Sequence, residues 1–294
     1  MSKIKLDFVI IGAQKSGTST IHDILKKHPN IQLPYIKEAY EYLFKPNLLE
    51  DCYKTLDNSF KFGMIIPQVM CYPHLLKKVL KNNPNVKLIC ILRNPLDRMV
   101  SSLNMYYQRG YISKKKYLNY NFKIPKNFNY MKIDHTLKQI KFDRSIDNIV
   151  SWSYYGKTLN YLINKFKIKK TKIFVVKFDN LKKNNLKKLF KFLDLEEIKT
   201  DLTIKKNTSD IKIINRFLSY ILENIKKYYF IRFIFNSLPN KHKNIIMQYR
   251  LFNIKKKLFK REFQFSKFLV NSIKKDLQKN YLTKKLKFNF KQFD

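Results

Sequence analysis

Residues 7–28 constrain this chain more than any other stretch. Asp7-Phe8-Val9-Ile10-Ile11 is a short apolar run that ends in Gly12, as a strand buried on both faces requires. Gly12-Ala13-Gln14-Lys15-Ser16-Gly17 follows. Thr18 to His28 then sets Ile21, Ile24 and Leu25 at helical spacing, with Pro29 as a stop. The pattern predicts a strand, a glycine loop and a helix in immediate succession. Such a junction aims backbone N–H groups and the positive end of a helix dipole at one point, which makes an anion site. A Walker-type loop has this glycine spacing followed by Lys-Ser/Thr. Here those two positions are Thr18 and Ser19, and the lysine lies earlier, inside the loop, at Lys15. No apolar strand ends in an acid suited to hold Mg²⁺. An ordinary ATPase or GTPase is therefore disfavoured.

A second unit of the same kind begins at Lys87. Leu88-Ile89-Cys90-Ile91-Leu92 reads as a buried strand, Arg93-Asn94-Pro95 turns the chain, and Leu96 to Tyr107 reads as a helix. A third apolar run, Ile173–Val176, follows a helical stretch over Ile149–Phe166. It leads through Asp179-Asn180-Leu181 into an amphipathic helix ending at Leu193. Strands alternating with helices predict an α/β fold with a parallel sheet. Residues 111–135 are polar, aromatic and weakly periodic, and read as a long excursion on the ligand side. Residues 211–262 are basic and helical in pattern, and read as an extension of a single domain covering 1–294.

The formal net charge of +40 invites a nucleic-acid reading. Only eight of the 61 basic residues are Arg, the side chain suited to bidentate base and phosphate contacts. The charge is also uneven, +8 over residues 1–110 and +32 over 111–294, so the excess lies outside the clearest motifs. Together with the abundance of Asn, Ile, Phe and Tyr, this fits A/T-rich codon usage and solvated Lys faces, and no specific nucleic-acid partner is expected. A hydrophobic content of 45% is too high for a disordered polycation. Three cysteines, Cys52, Cys71 and Cys90, form no C-x-x-C pair, which argues against a disulfide scaffold or a structural zinc site. No apolar run reaches about 18 residues and no signal-like segment follows Met1, so the expectation is a soluble, cytoplasmic chain.

The string FVIIGAQKSGTSTIHDIL resembles the 5′-phosphosulfate loop of sulfotransferases that use 3′-phosphoadenosine 5′-phosphosulfate (PAPS). The resemblance implies a P-loop NTPase-like three-layer α/β sandwich with a central parallel sheet, here with a basic helical C-terminal segment appended. It implies PAPS as sulfuryl donor and no required metal. Position by position, it assigns Lys15, Ser16, Gly17, Thr18, Ser19 and Thr20 to the phosphosulfate, with Lys15 also stabilising the leaving phosphate oxygen. KLICILRNPLDRMVSS is similar to the family's 3′-phosphate site and implies that Arg93 and Ser101 bind that phosphate. The segment from Ser151 to Leu195 resembles the family's next unit, and places Tyr155, with Ser153 beside it, along the nucleotide. Lys206-Asn207-Thr208-Ser209 is similar to a further nucleotide-side loop. HPNI at 28–31 followed by Lys37-Glu38-Ala39-Tyr40 matches a pattern whose Glu is the proposed general base in carbohydrate sulfotransferases, so Glu38 is the expected base. His22 and His28 are competitors for that role, His22 reading more simply as a packing residue.

One departure stands out. Relatives continue with G-E-K-[ST]-P-x-Y, whereas this chain has Gly63-Met64-Ile65-Ile66-Pro67-Gln68-Val69. Either the acceptor differs from that of relatives, or activity is weak or lost. The expected reaction is sulfuryl transfer to a hydroxyl or amine of a carbohydrate or small molecule. Its rivals are a nucleotide kinase or NTPase with an altered loop, and a non-catalytic polyanion binder working through residues 111–294, whose binding would collapse with salt and ignore Arg93.

Overall fold

The computed structural model describes residues 4–35, 38, 40–43, 46–108, 111–124, 146, 148–181, 183–198 and 263–290. The described residues fall into two compact units. Those of Met1–Met99, Phe122–Ile204 and Gln264–Asp294 form the first, and those of Val100–Asn121 and Lys205–Phe263 the second. The basic segment expected at 211–262 and the loop at Lys206–Ser209 lie outside the described residues, as do residues 125–135 of the expected excursion.

The first unit is built on five parallel strands in the order β2-β3-β1-β4-β5. These are β1 (Phe8–Gly12), β2 (Ile31–Gln32), β3 (Lys61–Ile65), β4 (Lys87–Leu92) and β5 (Ile173–Lys177). The three apolar runs seen in the sequence are β1, β4 and β5; β2 and β3 are the strands with weaker patterns. Central β1 pairs with β3 through Phe8 opposite Gly63 and with β4 through Phe8 opposite Lys87. Its register with β4 slips between Ile10 and Gly12, where the chain leaves the sheet for the loop.

Both faces of the central strands are apolar and buried, so both require cover. Helix α1 (Thr18–Leu25) and helix α7 (Lys183–Phe192) lie over one face. Ile21, Ile24, Leu25, Leu186, Leu189 and Phe190 pack there on Phe8, Ile10, Ile89, Ile91 and Val176. Val9, Ile11, Met64, Leu88 and Cys90 alternate to the opposite face and are as fully buried. The remaining helices of this unit are α2 (Pro73–Asn82), the start of α3 (Pro95–Gln108), α5 (Asn148–Ser151), α6 (Tyr155–Phe166), α8 (Lys267–Gln278) and α9 (Tyr281–Lys284).

One helical expectation needs correction. The stretch Ile149–Phe166 is not one helix but α5 and α6, broken at Trp152–Tyr154. The backbone at the break tightens to i−3 bonds, Ser153 to Val150 and Tyr154 to Ser151, and a side-chain network holds it there. The Arg98 Nε donates to the Ser153 hydroxyl at 2.6 Å, which in turn donates to the Pro95 carbonyl at 3.2 Å. α6 then restarts with its Gly156 and Lys157 amides donating to the Asp276 carboxylate of α8, at 2.8 and 2.9 Å. This approach is so close that a Cβ on Gly156 would lie 1.9 Å from the Asp276 carbonyl.

The second unit takes over α3 after Met99 and adds α4 (Lys114–Leu118). Tyr107 and Tyr117 stack with ring centres 4.5 Å apart, and the Tyr117 hydroxyl donates to Asn104 at 2.8 Å. Ser113 caps α4 by accepting from the Lys116 amide.

Candidate active site

The carboxyl ends of β1, β3, β4 and β5 meet at one edge of the first unit, and the loop after β1 is at its centre. The Ala13 amide donates to the Ile91 carbonyl at 2.7 Å, which fixes the loop to β4. Lys15 (φ 68°) and Gly17 (φ 83°) are in the left-handed region, so the loop reverses twice within three residues. Only glycine suits the second reversal, because a Cβ on Gly17 would lie 2.0 Å from the Phe178 ring. α1 starts immediately afterwards, with no side-chain cap and no acid in its first turn. The positive end of the helix dipole is thus not offset by a capping side chain or a first-turn acid.

Below the loop, two hydroxyls are shut off from solvent. Ser16 Oγ and Tyr155 Oη are both fully buried and near one another, and neither has a well-formed hydrogen bond among the described residues. Tyr155 opens α6, and its phenol is pushed up to about 12. Burial raises it; the Arg98 charge, the neighbouring Ser16 hydroxyl and the Arg93 charge hold it down, and Cys71 adds to the rise. Ser16, Tyr155 and the two arginines therefore share one electrostatic neighbourhood.

Arg93 and Arg98 differ sharply. Arg93, at the end of β4, is half-buried and forms no hydrogen bond or ion pair among the described residues. Arg98, one turn into α3, is fully buried. Its guanidinium is spent on the Ser153 hydroxyl and the Ile149 carbonyl. Sequence reasoning missed Arg98; the signal was an arginine among apolar residues Leu96, Met99 and Val100 on the helix, where charge must be paired. Ser153, expected at the nucleotide, instead belongs to this internal network. Ser101 lies further along α3, in the second unit, and is half-buried.

Next to Arg93, a cleft of about 190 Å³ is lined by Asn94, Asp97, Lys177, Asp179 and Asn289. Burial raises the Asp97 carboxyl, Arg93 and Lys177 counter this, and Asp179 adds to it. The C-terminal segment closes one side: the Asn94 amide donates to the Asn289 carbonyl at 2.5 Å, and Lys177 to the Lys287 carbonyl at 3.3 Å.

Of the other loop residues, Lys15 and Thr20 are half-buried, Thr18 is buried and Ser19 is exposed. Glu38 lies beyond β2 with φ 64°, and its Oε2 accepts from Gln68 Nε2 at 3.4 Å. His28 is structural. Its Nδ1 accepts from the Asn30 amide, so its Nε2 donates to the Glu196 carbonyl, each at 3.1 Å. His22 sits beside Asp23 on α1 at 3.3 Å. Met64, Ile65, Ile66 and Val69 are at most 1% exposed, so the altered wall is core rather than surface.

A family model described as the sulfotransferase domain matches residues 5–232. The chain belongs to the sulfotransferase domain family. That span includes the loop, Glu38, Arg93 and Tyr155. A curated relative, the membrane-associated sulfotransferase kil1 of Dictyostelium discoideum, is 29% identical over 123 residues, or 40% of this chain. The match takes in 26% of that protein's length. Among solved structures, a sulfotransferase from Alicyclobacillus acidocaldarius aligns with a TM-score of 0.52 at 16% identity, covering 76% of this chain and 93% of that one. A sulfotransferase domain from the curacin biosynthetic pathway aligns with a TM-score of 0.44 at 12% identity, over 67% and 77% of the two chains. The sulfotransferase fold is thus present: a parallel five-stranded sheet with flanking helices. No helix among the described residues is long and apolar enough to cross a membrane.

Proposed function

We propose that this sulfotransferase domain moves a sulfuryl group from PAPS to a hydroxyl or amine of a carbohydrate or other small acceptor. The observation that carries this reading is the uncapped loop–helix junction at Lys15–Thr20 beside an Arg93 guanidinium that no described residue pairs. The buried, unsatisfied hydroxyls of Ser16 and Tyr155 fit a polyanionic donor held against the loop. When bound, the donor supplies a sulfuryl group on a phosphate leaving group, and positioning with charge stabilisation suffices for its transfer. Loop amides and the Ser16 and Thr18 hydroxyls hold its oxygens. Lys15 faces the charge that develops on the leaving phosphate oxygen. Arg93 takes the 3′-phosphate. Glu38 accepts the acceptor's proton as the acceptor oxygen forms its S–O bond and the sulfuryl–phosphate S–O bond breaks. The products are a sulfate ester and adenosine 3′,5′-bisphosphate.

Thermal melting with adenosine 3′,5′-bisphosphate tests the donor assignment. The ligand is expected to raise Tm, ATP with Mg²⁺ is not, and Lys15→Ala or Arg93→Ala should remove the rise. No rise in the unaltered chain overturns the reading. Glu38→Ala should keep the rise and lower turnover by about 10²–10⁴-fold; unchanged turnover removes Glu38 from the mechanism.

A further inference from the structure

Gln68 is the one amide in an otherwise apolar wall. Every residue from Phe62 to Met70 is buried, and Gln68 is itself only 6% exposed. The turn that carries it is fixed by its backbone. The Ile66 amide donates to the Ile10 carbonyl at 2.9 Å and the Cys71 amide to the Gln68 carbonyl at 2.9 Å. Met70 packs so tightly on Gly12 that a Cβ there would lie 2.6 Å from its sulfur. Gln68 is thereby placed at the strand edge that also carries the loop.

The side chain then makes a choice that packing alone does not explain. Nε2 donates to Glu38 Oε2, a contact across 30 positions of sequence, while Oε1 is buried with no partner. A carboxylate takes a hydrogen bond only from the NH₂ end of an amide, so this orientation is set by chemistry. Methionine would fill the same volume without leaving a buried oxygen unsatisfied. Glu38 is also held at φ 64°, a region that L side chains rarely adopt.

We propose that Gln68 is a positioning residue whose amide aims the Glu38 carboxylate at the acceptor's proton; this rests on reading Glu38 as the base. At 3.4 Å the contact is long, as hydrogen bonds at ligand-free sites often are before substrate closes on them. Gln68 touches neither donor nor sulfuryl group and acts through Glu38.

The test uses the full chain with Gln68→Met, and with Gln68→Glu, which keeps the shape but sets like charges face to face. Without any ligand, amide exchange in the peptide spanning Glu38 should quicken about tenfold in both variants while β1 and α1 stay as they were. With PAPS and a mixture of simple sugars and alcohols, Gln68→Met should lower kcat tenfold or more. Its affinity for adenosine 3′,5′-bisphosphate should stay within twofold. In a Glu38→Ala background the Gln68 substitution should add no further loss. Unchanged exchange around Glu38, a further loss in that background, or failure of both variants to fold overturns the inference. An unaltered chain that binds no bisphosphate overturns the donor assignment instead, and the exchange result still decides Gln68.

Discussion

Arg93 and Arg98 stand five residues apart and both act on the Tyr155 phenol, yet their hydrogen bonding differs. Arg93 belongs to the edge where β1 and β4 end, among the loop amides, the Ser16 hydroxyl and a polar cleft. Among the described residues, that edge holds an Arg93 with no hydrogen bond and the buried Ser16 and Tyr155 hydroxyls. Arg98 belongs to the layer behind it, where α3, α5, α6 and α8 meet. There, charges are matched by hydrogen bonds: Arg98 to Ser153 and Ile149, Asp276 to the first amides of α6. Interactions left unmade in the free chain are available to a ligand; interactions already made hold the fold. Arg98 is therefore part of the architecture, while Arg93 is the arginine proposed for recognition.

The comparison breaks most visibly in the scaffold layer. Arg98→Ala should lower stability by about 3–5 kcal/mol, because it opens a cavity in the interior and leaves the Ile149 carbonyl without this donor. Arg93→Ala should leave the urea midpoint nearly unchanged. Equal losses for the two would erase the distinction.

A smaller effect is expected at Asp276. Burial lifts its carboxyl from 3.8 to about 6, against the pull of the Lys157 and Gly156 amides. Between those values the folded chain keeps a proton that the unfolded chain has released. The group's contribution to stability is therefore full below pH 3.8 and is lost as the pH rises through 6. The separation corresponds to about 3 kcal/mol. Urea unfolding of Asp276→Asn should gain most of that on the unaltered chain between pH 4 and pH 7. A constant difference across that range would show that the carboxylate is not desolvated.

The smallest effect belongs to the edge. Ser16→Ala removes a buried hydroxyl that has no partner, so stability should stay level or rise by up to about 1 kcal/mol. Bisphosphate affinity should nevertheless fall severalfold. Calorimetry showing unchanged affinity would take Ser16 out of the donor site.

Much of this was legible in the chain because it depends on local periodicity. Three runs of apolar residues gave β1, β4 and β5, and the glycines with Lys15 gave the loop between strand and helix. Arg93 was legible because it ends such a strand beside a proline turn. The break between α5 and α6 was not, since Trp152–Tyr154 continue a helical pattern and are diverted only by Arg98 and Ser272. The Gln68–Glu38 contact was not legible either, because neither residue's neighbours call for the other.

The sequence by itself determined the alternating α/β order, the strand–glycine loop–helix junction and the uncharged run Met64–Ile66. These follow from hydrophobic period, glycine freedom and side-chain chemistry, which act over a few residues. The tertiary structure decided which polar groups find partners. Arg98 meets Ser153 across 55 positions and Gly156 meets Asp276 across 120. Folding brings such groups together and removes water from them, and only then is Arg98 fixed as scaffold while Arg93 keeps its charge at the strand ends.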